Sequence, residues 1–322
     1  MFLHNHKSFK DLIEITASEQ KIINPSLVEK DYFIMHVLYS LLKLNLKIEL
    51  KGGTSLSKGF GIIERFSEDL DIKIEPDQSF LNFDVKTGKN HDKEAHRESR
   101  KKFFDNLSIY LENKIDGIIE VKRDEYFDDS KKYRNGGIRL FYNPIFNLPE
   151  GIKEGILLEV GFDKTTPNRP KDISSWALAK ARPVLGDQII ENRALNVFCY
   201  EPKYTFVEKL QAIVRKYRLY KEQSETRTLP ENFLRHYYDI YCLLSLDEVR
   251  SFIGTSEYID YKNERFGSDD VIIKNCQGIF LNDPKERALF ENEYVKSSAL
   301  YYRGQIPFED ILKRIQSFSE RL

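Results

Sequence analysis

The spacing of hydrophobic positions changes along the chain. Between Pro25 and Lys43 they recur at helical intervals, with Leu27, Ile34, Val37, Leu38 and Leu41 on one face. That pattern predicts an amphipathic helix over 25–43. Asn24 is placed to cap it, Pro25 suits its first position, and Ser26 with Glu29 offers an alternative capping box. The period then drops to two. Lys47-Ile48-Glu49-Leu50-Lys51 reads as a short strand broken by Gly52-Gly53. After a helical turn and a loop, Leu70-Asp71-Ile72-Lys73-Ile74 alternates strictly and reads as a second strand. A long charged helix is expected over 92–114, burying Phe103, Leu107, Tyr110 and Leu111, with strands following at 118–122, 138–142 and 156–162. The stretch 163–195, with Pro167, Pro170 and Pro183, reads as a loop-rich connection carrying a short helix near Trp176. Beyond 202 the pattern is mostly helical, at 203–222, 230–246, 284–302 and 308–321. Strands with helices first, then helices alone, predict an α+β N-terminal domain over 1–195 and a mainly helical domain over 196–322.

Composition narrows the class. A hydrophobic fraction of 41% and an aromatic fraction of 13% in 322 residues supply a buried core and exclude a disordered chain. No stretch approaches the ~18 consecutive apolar residues of a membrane span. The start, Met1-Phe2-Leu3-His4-Asn5-His6-Lys7, has no apolar segment of the kind that directs export. Cys199, Cys242 and Cys276 lie far apart with no CxxC, which argues against a disulfide framework or a zinc ribbon, and each reads as a small buried hydrophobe. The expected picture is a soluble cytoplasmic protein. A net charge of −1 excludes a uniformly basic nucleic-acid coat. Locally, however, 202–221 holds Lys203, Lys209, Arg215, Lys216, Arg218 and Lys221 against the single acid Glu208, enough to keep a polyanion partner in play.

The chemistry concentrates in Gly52-Gly53-Thr54-Ser55-Leu56 and in Arg65-Phe66-Ser67-Glu68-Asp69-Leu70-Asp71-Ile72. Residues i and i+2 of a strand share a face, so Asp69 and Asp71 project together while Leu70 and Ile72 face the core. Two adjacent carboxylates repel, and a divalent metal resolves the conflict. Oxygen-only ligands favour Mg²⁺, which commonly takes one or two carboxylates plus substrate phosphates. The upstream glycines let backbone N–H groups approach a phosphate closely, and Ser55 adds a hydroxyl at the same point. Glu159 is a lone carboxylate in the apolar strand Ile156–Phe162 and so requires a partner or a purpose. Farther on, Phe206, Leu210, Ile213, Val214 and Tyr217 form one helix face, with Lys209 and Lys216 at its edge. Phe233, Tyr237, Ile240, Tyr241 and Leu244 form another, beside which Asp239 has Arg235 one turn earlier as an available surface partner.

These motifs carry a resemblance. Lys51-Gly52-Gly53-Thr54-Ser55-Leu56-Ser57-Lys58 through Glu64-Arg65-Phe66-Ser67-Glu68-Asp69-Leu70-Asp71 resembles the first motif of the AbiEii/AbiGii-type nucleotidyltransferase toxins, a family of the DNA polymerase beta-like superfamily. Val28-Glu29-Lys30-Asp31-Tyr32 is similar to the family's N-terminal helix. Val207-Glu208-Lys209-Leu210-Gln211-Ala212 is similar to its lysine motif, and Arg235-His236-Tyr237-Tyr238-Asp239-Ile240-Tyr241 to its later aspartate motif. Two features depart from the pattern: the interval from Gly53 to Asp69 is long, and His236 stands where many members carry an acid. The resemblance implies a nucleotidyltransferase-type domain with a mixed sheet, followed by a helical domain that contributes Lys209 and Asp239. It implies Mg²⁺, or Mn²⁺ in its place, on Asp69 and Asp71, and an NTP clamped by Gly52, Gly53, Thr54, Ser55 and Lys209. Glu159 would be the third carboxylate, as general base or metal ligand, and Asp239 would orient Lys209. The implied reaction transfers NMP to an acceptor, RNA and in particular the 3′ end of tRNA, by a toxin with a cognate antitoxin. Two alternatives stand beside it: the same fold acting on a small molecule or a protein hydroxyl, and a nucleotide-binding module without turnover. The six histidines show no metal-ligand spacing, Trp176 and the Tyr237-Tyr238 and Tyr301-Tyr302 pairs read as core, and 260–322 offers no further chemistry.

Overall fold

Strands β1 (Ile48–Lys51), β2 (Asp69–Ile74), β3 (Ile118–Arg123), β4 (Asn135–Tyr142), β5 (Ile156–Gly161), β6 (Asn168–Ile173) and β7 (Ala194–Tyr200) form one mixed sheet in the order β3-β4-β5-β2-β1-β7-β6. The computed structural model describes residues 1–77, 80–88, 92–223, 228–230, 232–266 and 272–322. β2 lies antiparallel to β1 and parallel to β5, so the three central strands put their register, and therefore their side chains, side by side. Alternation sorts the two faces: Leu70, Ile72 and Ile74 are buried, while Asp69, Asp71 and Lys73 stand on the opposite, partly open face.

Helices α1 (Phe9–Gln20), α2 (Pro25–Lys43), the single turn α3 (Gly52–Thr54), α4 (Glu94–Leu111) and α5 (Trp176–Leu185) accompany the sheet. α2 packs on β7, β2 and β5, α1 packs on α2 and α5, and α4 covers β3 and β4. Asn24 caps α2, its side chain accepting the Ser26 N–H at 2.9 Å, with Pro25 in the first turn. The expected Ser26–Glu29 capping box does not form: Glu29 instead accepts the N–H groups of Ile145 at 2.8 Å and Phe146 at 3.1 Å. Nor is α2 amphipathic in place, since every residue from Ser26 to Leu38 is buried, Glu29, Lys30 and Asp31 included. In α4 Phe103, Phe104, Leu107 and Leu111 are buried, whereas Tyr110 is half-exposed, contrary to expectation.

The stretch 163–195 is more ordered than its prolines predict. β6 tolerates Pro170 because it is the last strand of the sheet, where a missing N–H costs no inner ladder bond. Its pairing with β7 slips between Lys171 and Ile173, and Asn196 on β7 has a left-handed backbone, φ +53°. Such an irregularity breaks the period-two alternation by which a strand is read from sequence.

The chain divides into two compact units, Met1–Gly61 with Phe66–Tyr200, and Ile62–Arg65 with Glu201–Leu322. The second is helical: α6 (Pro202–Glu222), α7 (Arg235–Leu243), α8 (Asp247–Phe252), α9 (Ser256–Arg265), α10 (Gln277–Phe280), α11 (Pro284–Lys296) and α12 (Phe308–Gln316). α6 packs against α7, α8, α9 and α10, and α12 against α7, α10 and α11. Phe206, Leu210, Ile213, Val214 and Tyr217 are buried as their spacing predicts. The helix expected over 230–246 is confined to α7, and position 231 lies outside the described residues. Among the described residues no helix is long and apolar enough to cross a membrane, and the three cysteines are free thiols.

Candidate active site

Register brings the first three candidate carboxylates together. Asp71 sits opposite Lys51 on β1 and opposite Glu159 on β5, and Asp69 shares its face two residues earlier. The Glu159 carboxyl is pushed well above its ordinary range, first by burial and then by the Asp71 and Asp69 charges, and it is hydrogen-bonded to Asp71. Burial and the neighbouring like charges both disfavour a further full negative charge at this point. A cleft of about 80 Å³ opens here, lined by Lys51, Asp71, Arg134, Asn135, Glu159 and Asp163. Arg134 and Asn135 escaped the sequence reading because only the β4–β5 pairing, Asn135 opposite Gly161, carries them to this edge.

The donor set fits a hard divalent cation: its atoms are carboxylate oxygens from neighbouring strands, and their clustered negative charge is what such a cation neutralises. Among the described residues no group of three or more His, Cys, Asp or Glu side chains is arranged to hold an ion alone. A pair of carboxylates completed by substrate oxygens is the arrangement Mg²⁺ usually adopts.

β1 delivers the chain directly into the glycine turn. Gly52 has φ +69°, and a Cβ on it would stand 2.0 Å from the Asp71 Oδ2. Glycine is therefore required there both for its backbone conformation and for the space. Thr54 donates from its hydroxyl to the Asp69 carbonyl at 2.5 Å, tying the turn to β2. The hydroxyl expected at the phosphate-binding turn, that of Ser55, is fully buried against the Cys199 thiol. What the turn offers a phosphate is its backbone N–H groups. The turn continues as a π-type turn over Ser55–Gly59 that ends at Lys58 and Gly59.

In the helical unit, Asp239 of α7 is fully buried and is not half of a surface pair with Arg235. It accepts from Arg65 Nε at 2.7 Å and Nη2 at 2.8 Å, and Lys209 Nζ of α6 lies 3.0 Å from its Oδ2. Burial alone would raise the Asp239 carboxyl, but the Arg65 and Lys209 charges outweigh it and hold it well below the usual carboxylate range. His236, on the same helix, has no hydrogen-bond partner for either ring nitrogen among the described residues. Burial, followed by the Lys209 and Lys216 charges, pushes it well below its ordinary value and keeps it neutral. Arg65 was missed as a site residue because its partner is 174 positions away. The basic surplus of 202–221 is partly cancelled: Lys203 pairs with Glu201 and Glu257, Lys209 with Asp239, and Lys221 with Glu286.

Comparison with known proteins bears on this chemistry. A family model described as "AbiEii: Nucleotidyl transferase AbiEii toxin, Type IV TA system" matches residues 36–314. No curated protein matches the chain. A solved structure, that of an antigenic nucleotidyltransferase-like protein from Paracoccidioides brasiliensis, is similar at 14% identity with a TM-score of 0.35, covering 88% of this chain and 96% of that one.

Proposed function

Because the chain belongs to the AbiEii nucleotidyl transferase toxin family of type IV toxin–antitoxin systems, we propose that it transfers NMP from an NTP to an RNA acceptor, the 3′ end of tRNA, in the cytoplasm. The observation that supports this most directly is the Asp71–Glu159 pair on neighbouring strands, with Asp69 on the same face and Gly52 packed against Asp71.

Asp69 and Asp71 would hold Mg²⁺ or Mn²⁺, which when bound neutralises charge on the triphosphate and on the departing pyrophosphate. The N–H groups of Gly52, Gly53 and Thr54 cradle phosphate oxygens, the Ser55 N–H closing the turn on the Gly52 carbonyl, while Lys209, which matches the family lysine, neutralises triphosphate charge. Asp239 fixes the Lys209 ammonium, and Arg65 fixes Asp239. Glu159, beside Asp71 on the neighbouring strand, acts as the base. The acceptor hydroxyl passes its proton to Glu159, its oxygen bonds to the α-phosphorus, and the bond from that phosphorus to pyrophosphate breaks. Catalysis rests on positioning and charge neutralisation, as is general for such transfers.

The test is to incubate the protein with each labelled NTP, Mg²⁺ and total RNA. Label at RNA 3′ ends supports the proposal. Label on protein or on a small molecule assigns another acceptor, and NTP binding without pyrophosphate release makes the chain a nucleotide-binding module. Co-expression with its cognate antitoxin should relieve the growth arrest that the active protein causes.

A further inference from the structure

Three consecutive charged residues are buried in the middle of α2, and each reaches a different segment of the first unit. Glu29 holds the backbone at Ile145 and Phe146, a loop that carries no candidate site residue. Lys30, 1% exposed, lies 3.5 Å from the Glu68 carboxylate and donates to the Lys153 carbonyl. Glu68 also accepts the Lys153 N–H at 3.2 Å, and the next residue is Asp69. Asp31, 2% exposed, meets Lys58 Nζ at 2.5 Å and accepts the Trp176 N–H at 2.8 Å. Lys58 closes the glycine turn, and its ammonium stands 3.7 Å from the centre of the Trp176 ring.

Burying an ion pair rarely adds stability over apolar residues of the same size, so two such pairs on one helix call for another reason. The segments they reach supply it. Lys30 grips the residue that leads into the DxD strand, and Asp31 grips the end of the turn that begins at Gly52. Glu29 makes an equally buried contact with a loop that lies outside the site.

We propose that Lys30 and Asp31 are positioning residues for nucleotidyl transfer, Lys30 setting Asp69 through Glu68 and Asp31 setting the phosphate-binding turn through Lys58. The inference rests on the reading of Asp69, Asp71 and the glycine turn as the catalytic site. Displacing reacting groups by about 1 Å can cost about 10²-fold in rate, so small slack at either grip is visible in kinetics.

The experiment measures kcat and KM for NTP, with thermal unfolding in parallel, for Glu29→Gln, Lys30→Met, Asp31→Asn, Lys58→Met, the Asp31→Asn/Lys58→Met double variant and Asp69→Asn. Lys30→Met is expected to lower kcat about 10²-fold with little change in KM. Asp31→Asn and Lys58→Met are each expected to raise KM about tenfold, and the double variant is expected to lose no more than either single one. The double variant removes both charges, so it reports on the turn even if Asp31→Asn alone fails to fold. Glu29→Gln is expected to lower the melting temperature while keeping kcat and KM. Equal kinetic loss in Glu29→Gln, additive losses at Asp31 and Lys58, or wild-type kinetics in folded Lys30→Met would overturn the proposal. An active Asp69→Asn would instead overturn the site assignment itself, whatever the α2 variants do.

Discussion

The carboxylate face of the sheet and the Asp239 cluster of the helical unit solve opposite electrostatic problems. On the sheet, Asp69, Asp71 and Glu159 place like charges on neighbouring strands, and burial together with those charges pushes the Glu159 carboxyl well above its ordinary range. In the helical unit, one buried carboxylate is met by two cations at 2.7–3.0 Å and stays ionised. The first arrangement is incomplete and gains by taking up positive charge. The second is complete, with Lys209 held against Asp239.

The largest effect should come from removing one charge from the frustrated side. Asp71→Asn should reduce transfer by 10³-fold or more, since a lost metal ligand costs on the order of several kcal/mol at the transition state. Unlike an ordinary core defect, it should leave the metal-free protein as stable as wild type or more so, because one of the clustered carboxylate charges is removed while an amide can still hydrogen-bond to Glu159. Adding Mg²⁺ should raise the melting temperature of wild type and not of Asp71→Asn. A metal-dependent shift retained in the variant would erase the contrast between the two regions.

The same change in the satisfied cluster should act mainly on the fold. Asp239→Asn leaves Arg65 buried without its counter-charge, for an expected loss of about 3–5 kcal/mol by urea unfolding at pH 7. Its pH dependence has a definite sign. The folded-state carboxyl lies below its unfolded value, so its contribution is full above about pH 4 and disappears as pH falls through the lower folded value. The gap between wild type and Asp239→Asn should therefore narrow from pH 4 downward. A constant gap would mean that the ion pairs are not its source.

Between these extremes lies Lys209, which belongs to the satisfied cluster and is proposed to meet the triphosphate. Lys209→Ala should raise the NTP requirement and slow transfer, with only partial rescue by Lys209→Arg, whose planar guanidinium does not replace a compact ammonium. Combined with Asp239→Asn, the loss should fall short of the sum by about 0.5–3 kcal/mol, as for any pair in direct contact. The smallest effect concerns RNA. Lys216→Glu with Arg218→Glu should weaken RNA binding and lower its salt slope by about 0.7 per lost phosphate contact, with KM for NTP unchanged. Unchanged filter-binding affinity in this double variant would leave the helical unit's basic surface without a role in acceptor binding.

Local pattern alone determined a good part of this protein. Period-two alternation placed Asp69 and Asp71 on one face of β2, helical spacing set the buried face of α6, and Asn24-Pro25 marked where α2 begins. Each of these is decided within a few residues, where side-chain direction follows from backbone geometry. In α7, by contrast, Tyr241 of the expected face is only half-buried and Tyr238 is buried instead. Tertiary structure decided the rest. β6 and β7 exist because they pair with one another across an irregular register that no single alternation records. Glu29, Lys30 and Asp31 look like a solvated stripe until α2 is covered on every side, and only then must each charge find a partner far along the chain. Arg65 and Asp239 meet across 174 positions, and their pairing follows from burial, which makes an uncompensated charge too costly to keep.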